Sequence, residues 1–126
     1  MHKISTLAAI VIAGALMLPS EAKATDDLAL SICNDIKLDN KKRLHKTLRS
    51  NRIKLKNIYS KFQCNGQSLL EFAFTESSVE VGSYIVKRMP SNELAALTPE
   101  GKPLKAWIEA KGYSDSPINK ELSAKL

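Results

Sequence analysis

Cys33 and Cys64 are the two cysteines of the chain, and a bond between them would decide how its two halves meet. About 30 residues separate them, and closing a loop of that size contributes roughly 3.5 kcal/mol in chain-entropy terms. Domains of about 100 residues are stable by only ~5–10 kcal/mol, so such a bond would dominate the fold. The other reading is a reactive Cys64 served by a base. Past the N-terminus the chain has one histidine, His45, and nothing in the sequence places it beside Cys64. An even pair in a small exported domain favours the bridge.

The N-terminus points to an oxidising compartment. Lys3 precedes an unbroken apolar and small run from Leu7 to Leu18. Pro19 and Ser20 break the run, and Ala22-Lys23-Ala24 supplies the small-x-small pattern of a cleavage site. As a helix, the run would rise only about 18 Å, well short of the roughly 30 Å hydrocarbon core. Residues 1–24 are therefore expected to be a removable signal peptide. Residues 25–126 are expected to form one periplasmic domain with no stable membrane insertion.

Helical spacing dominates that domain. Thr25, Asp26 and Asp27 are placed to cap a first helix whose stripe is Leu28, Ile32 and Ile36. Asp39 is expected to cap a second helix, with Leu44 and Leu48 inward and an end near Ser50-Asn51. From Arg52 to Cys64 two readings stay open: the alternation Ile53, Leu55 suits a short strand, and Asn57-Ile58-Tyr59 suits a helical turn. Asn65-Gly66 is a turn signal, and Ser68 with Glu71 reads as a capping box opening a third helix. Val81, Ile85 and Met89 mark a fourth helix, which Pro90 stops. After a turn at Pro99 and Gly101, Pro103 opens a fifth, with Leu104, Trp107 and Ile108 inward and Gly112 closing it. Residues 115–126 either add a short helix or fray.

The fold class read from this pattern is all-α: a small stack of antiparallel helix hairpins with one disulfide. Gly66 to Ala73 has the cadence G-x-[ST]-x-L-x-x-A, which resembles an ankyrin-type unit. Gly101, Leu104 and Trp107 echo it about 35 residues later. A departure stands in Leu69 and Glu71, where that signature has proline and histidine. Ankyrin-like packing and a non-repeating helical bundle are both compatible with these spacings.

Three stretches together resemble a known bacterial family. They are Leu30-Ser31-Ile32-Cys33, then Asn51 through Tyr59 after a basic helix, then Cys64-Asn65-Gly66-Gln67-Ser68-Leu69-Leu70. They are similar to the family catalogued as domain of unknown function 3718, over about residues 28 to 90. The resemblance implies small exported proteins with no assigned activity and no assigned catalytic residues.

The net charge of +6 is unevenly placed. Residues 37–61 hold ten lysines and arginines against one acid, Asp39, whereas the rest of residues 25–126 holds seven basic and eleven acidic groups. Lys42, Lys46 and Arg49 form a ridge on one face of the second helix, extended by Arg52, Lys54 and Lys56. A basic segment of this kind either attracts lipid phosphates, lipopolysaccharide or an acidic partner, or only keeps the surface solvated. The aromatic interleaving expected of a nucleic-acid surface is missing, so no nucleic-acid partner is expected.

No constellation suggests catalysis. The acids are scattered, a single histidine and a bridged cysteine pair leave too few metal ligands, and the glycines are too widely spaced to cradle a phosphate. No metal or cofactor is expected. The expectation is a non-catalytic interaction module binding an envelope protein through the face near Asn65, Gly66 and Ser68. The alternative is a binder of anionic envelope surfaces through the basic segment.

Overall fold

Turn chemistry and helix ends divide the chain into short helices. The structure, a computed structural model, describes residues 19–126, with side chains from 26 onward. The expected signal peptide therefore lies outside the described residues, apart from the helical backbone of 19–24. Eight helices run in order among the described residues: α1 Pro19–Lys37, α2 Lys41–Ser50, α3 Leu55–Ile58, α4 Leu69–Thr75, α5 Val79–Arg88, α6 Ser91–Ala95, α7 Leu104–Lys111 and α8 Pro117–Lys125. The all-α expectation holds, with the disulfide formed between Cys33 on α1 and Cys64 ahead of α4, Cα atoms 5.7 Å apart. Neither cysteine is free, which removes the reactive-thiol reading.

Six of the seven residues of α4 are buried, so this helix runs through the core. Its capping box forms as expected: Ser68 Oγ accepts from Glu71 N at 3.2 Å, and Ser68 N donates to Glu71 Oε1 at 2.7 Å. The turn before it is a two-residue hairpin. Cys64 and Gln67 exchange both backbone hydrogen bonds, at 2.9 and 3.0 Å. Asn65 and Gly66 both take positive φ, 54° and 76°, as the hairpin turn with this hand requires. The disulfide thus ties this turn to α1 about one helical turn before its C-terminal end.

α5 is the hub, packing against α2, α3, α4 and α8. Gly82 makes the last contact possible, because a Cβ there would lie 2.5 Å from Ile118 Cδ1. α8 buries Ile118 and Leu122 on that side, so Pro117–Lys125 takes the short-helix alternative and packs against α5. Lys125 then caps the end of α5, its ammonium donating to the carbonyls of Val86 at 2.7 Å, Lys87 at 3.3 Å, and Met89. A positive group at a helix C-terminus also meets the negative end of the helix dipole. Phe74, Trp107 and Tyr113 form an aromatic cluster, with ring centroids 5.6 to 6.1 Å apart.

Four helices, α1, α2, α4 and α7, end in the same way. A left-handed residue follows the last turn, donating to the carbonyl three residues back, while the next residue donates to the one five back. The left-handed residues are Asp39, Arg52, Ser77 and Gly112, with φ of 52°, 53°, 55° and 80°. This is the Schellman arrangement, and only at Gly112 is it signalled by glycine.

Several local expectations are corrected. Thr25 to Asp27 lie inside α1 and do not cap it. Asn40, not Asp39, caps α2, accepting from Arg43 N at 3.0 Å. Asp39 reaches across to the start of α5, where its carboxylate accepts from Val81 N at 2.8 Å and Glu80 N at 3.4 Å. Ser78 answers by donating to the carbonyl of Ile36, so the two interhelix connections interlock. Residues 52–58 form a turn and then α3, not a strand. The contacts do not establish an ankyrin-type stack.

Candidate functional site

The basic segment folds so that part of it faces α5. Along α2, Lys41, Lys42, His45 and Arg49 border a groove whose other wall is α5. At its centre His45 Nδ1 lies 3.0 Å from the Tyr84 hydroxyl, and the two rings meet edge-on. The Arg88 guanidinium sits 4.5 Å above the Tyr84 ring, a cation–π arrangement that fixes where this charge is presented. Burial pushes the Tyr84 hydroxyl above its usual pKa, and the Arg88 charge partly opposes the shift.

The groove has two ends. One is a cup of about 410 Å³ with Arg49, Lys54, Lys56, Lys87 and Arg88 on its walls and no acid. Leu48, Ile53 and Leu55 give it an apolar floor. Five like charges converge here because α3 turns Lys54 and Lys56 toward the C-terminal end of α5, whose dipole favours cations. The other end, about 750 Å³, shares His45, Tyr84, Lys87 and Arg88 with the cup but adds Glu80 and Glu121 beside Lys41 and Lys42. Lys41 and Glu80 pair loosely at 3.9 Å, both well exposed. Arg43 is occupied elsewhere, with Nε 3.2 Å from the buried Asp35 carboxylate, which Thr47 also donates to at 2.8 Å.

The six cations expected from the sequence therefore divide. Lys42, Arg49, Lys54 and Lys56 line the groove; Lys46 and Arg52 are exposed outside it. Sequence reasoning missed Tyr84, Lys87 and Arg88. Tyr84 and Arg88 stand at i, i+4 on one helix face, a spacing that could have revealed the pair.

Asn65 and Ser68 do not share a face. Asn65 borders a hollow beside the disulfide with Leu30, Gln63 and Phe72. Ser68 faces a separate recess of about 190 Å³ with Tyr59 and Glu93. There Tyr59 donates to Ser68 Oγ at 3.3 Å. Burial, with the Glu71 charge adding to it, pushes the Tyr59 hydroxyl up to about 12 despite the Ser68 bond. So high a value keeps the Tyr59 hydroxyl protonated at neutral pH, and Ser68 is engaged as a helix cap.

Among the described residues, no group of three or more His, Cys, Asp or Glu could hold a metal ion. No helix among them is long and apolar enough to cross a membrane. No curated protein and no solved structure matches the chain. The model of the family described as "Protein of unknown function (DUF3718)" matches residues 32–96, spanning both walls of the groove and the cystine, and the chain belongs to that family.

Proposed function

We propose that this is a small exported, non-catalytic protein that binds an anionic envelope ligand, a lipid phosphate or lipopolysaccharide, in the groove between α2 and α5. The observation that carries the reading is the cup: five cations from three elements, without one acid, around an apolar floor. A merely solvated basic surface has no reason to gather Lys87 and Arg88 against Arg49, Lys54 and Lys56. The disulfide fits a protein that folds where thiols oxidise.

Near an anionic bilayer each lysine or arginine contributes about 1 kcal/mol. Reversing Lys54 and Lys56 to glutamate should then weaken binding to phosphatidylglycerol vesicles by a hundredfold or more, on the order of 3–4 kcal/mol. Wild-type binding should vanish at about 1 M salt, where the screening length is ~3 Å. Co-sedimentation that survives both treatments would refute the reading.

A protein-interaction face is supported by a different observation. Leu30 is 63% exposed beside the hollow that Asn65 borders. A photo-crosslinking residue at position 30 should yield one adduct of defined mass in the envelope. Failure to form any adduct would count against a partner there.

A further inference from the structure

Resting on the anionic-ligand reading above, we propose that His45 makes binding in the groove proton-dependent. Protonation of its ring adds a cation and frees the Tyr84 hydroxyl for the ligand, so an anion is held tighter as pH falls. His45 and Tyr84 line both ends of the groove, and they meet there at 3.0 Å. An imidazole is the side chain whose ordinary charge change falls between about pH 5 and 8. His45 is the one histidine of residues 26–126.

The charged groups that share this space with His45 come from four elements. On α2 itself they are Lys41, Lys42 and Arg49. Lys54 and Lys56, at the start of α3, close the cup. α5 adds Lys87, Arg88 and the acid Glu80, and α8 adds Glu121. Cations outnumber acids seven to two around the groove. A further positive charge among them costs energy that a bound anion removes, so charging the ring and binding an anion favour each other. The hydrogen bond adds a directional part. Nδ1 of the neutral ring, with its proton on Nε2, accepts from the Tyr84 hydroxyl. In the cation both ring nitrogens are donors. Nδ1–H then donates to the Tyr84 oxygen, and the phenol proton must turn to another acceptor. No other protein acceptor among the described residues bonds this hydroxyl, so an anionic oxygen in the groove is the partner left to it. Burial holds Tyr84 above its usual pKa, which keeps it protonated and a donor throughout this range.

Co-sedimentation with phosphatidylglycerol vesicles at about pH 8 and about pH 5.5 tests this. The lipid is a phosphodiester, whose charge is constant over that range. One added cation near an anionic surface corresponds to about fivefold in affinity, and one added hydrogen bond to about twofold or more. The wild type should therefore bind about tenfold tighter at the lower pH. That ratio should fall below about twofold in His45→Asn, whose amide takes the place of Nδ1 without a titratable charge. In Tyr84→Phe it should fall to about fivefold; circular dichroism checks both folds. A ratio near unity in the wild type, or an undiminished one in His45→Asn, overturns the inference while the anionic-ligand reading stands. An undiminished ratio in Tyr84→Phe overturns the part given to the hydroxyl. No binding at either pH overturns both readings. The wild type alone supplies a reciprocal measurement that needs no variant to fold. Sulfate, whose charge is also constant here, should raise the midpoint of the His45 ring titration, followed by nuclear magnetic resonance, relative to chloride at equal ionic strength. The expected rise is about 0.7–1 pH unit, the logarithm of the same five- to tenfold ratio. A midpoint that sulfate leaves in place overturns the linkage.

Discussion

Gly82→Ala should destabilise the protein in its native background and stabilise it once Ile118 is cut back. A Cβ at position 82 would lie 2.5 Å from Ile118 Cδ1, 2.7 Å from Cγ1 and 3.1 Å from Cγ2. Ile118 is fully buried and has little room to retreat. Overpacking of this kind costs about 1–3 kcal/mol, whereas replacing glycine by alanine within a helix returns about 1 kcal/mol. The net expectation is a loss of about 1 kcal/mol. Ile118→Ala alone removes all three crowding atoms and leaves a cavity, at about 2–5 kcal/mol. In that background the alanine methyl at 82 meets no clash and keeps its helical advantage, so the double variant should exceed Ile118→Ala by about 1 kcal/mol. The coupling is then about 2 kcal/mol, within the range for residues in direct contact. Urea unfolding followed by far-ultraviolet circular dichroism, disulfide intact, measures all four corners of the cycle. If Gly82→Ala shifts stability in the same direction in both backgrounds, α8 does not pack on α5 as described.

Three further outcomes follow from the same structure. Replacing Cys33 and Cys64 together by serine releases a loop of sequence separation 31, which costs about 3.7 kcal/mol by chain entropy and should lower Tm by about 15–30 °C; a loss under about 1 kcal/mol would show that the cystine does not constrain the unfolded chain. Arg52→Gly relieves a left-handed residue at φ 53° and should add about 0.5–1 kcal/mol, whereas a loss of stability would contradict the Schellman ending of α2. The Tyr59 hydroxyl, raised by burial from 10.0 to about 12, holds its proton longer when folded, so its contribution is full below pH 10 and is lost as pH climbs toward 12. Ultraviolet phenolate titration should show Tyr59→Phe deleting a late-titrating tyrosine, and an ordinary Tyr59 would refute the burial argument.

What was legible in the sequence is what local chemistry decides. Asn65-Gly66, the Ser68–Glu71 box, the stop at Pro90 and the ending at Gly112 all act within a few residues, and each forms where expected. The end of α2 at Ser50 was also legible, from its apolar spacing, but the left-handed residues at Asp39, Arg52 and Ser77 were not, because no glycine announces them and their cost is offset by hydrogen bonds visible only in the fold. Asp39 illustrates the limit. Its sequence position beside α2 suggested a local cap, but its carboxylate serves α5, about 40 residues away in sequence. Ile53 and Leu55 alternate like a strand because Lys54 between them is extended, with φ −96° and ψ 138°, but the extension stops there; Leu55 and Ile58 then bury at helical i, i+3 spacing.

The groove was half legible for the same reason, and Lys46 shows how to separate a groove from a charge count. Each step along α2 turns 100°. Lys42, His45 and Arg49 fall within an arc of about 60° facing α5, while Lys46 lies about 40° beyond its Lys42 edge; Lys46 is exposed and outside both ends of the groove. Lys46→Glu and Lys54→Glu change the net charge equally. If binding reads only the overall positive field, both should weaken phosphatidylglycerol vesicle binding alike. If the cup holds the phosphate, Lys54→Glu should cost about tenfold or more and Lys46→Glu about threefold or less, because Lys54 lines the cup and Lys46 does not. Equal losses at the two positions would reduce the groove to a solvated basic face. Unequal losses would assign the binding to the meeting of α2, α3 and α5, which no count of lysines along the chain can locate.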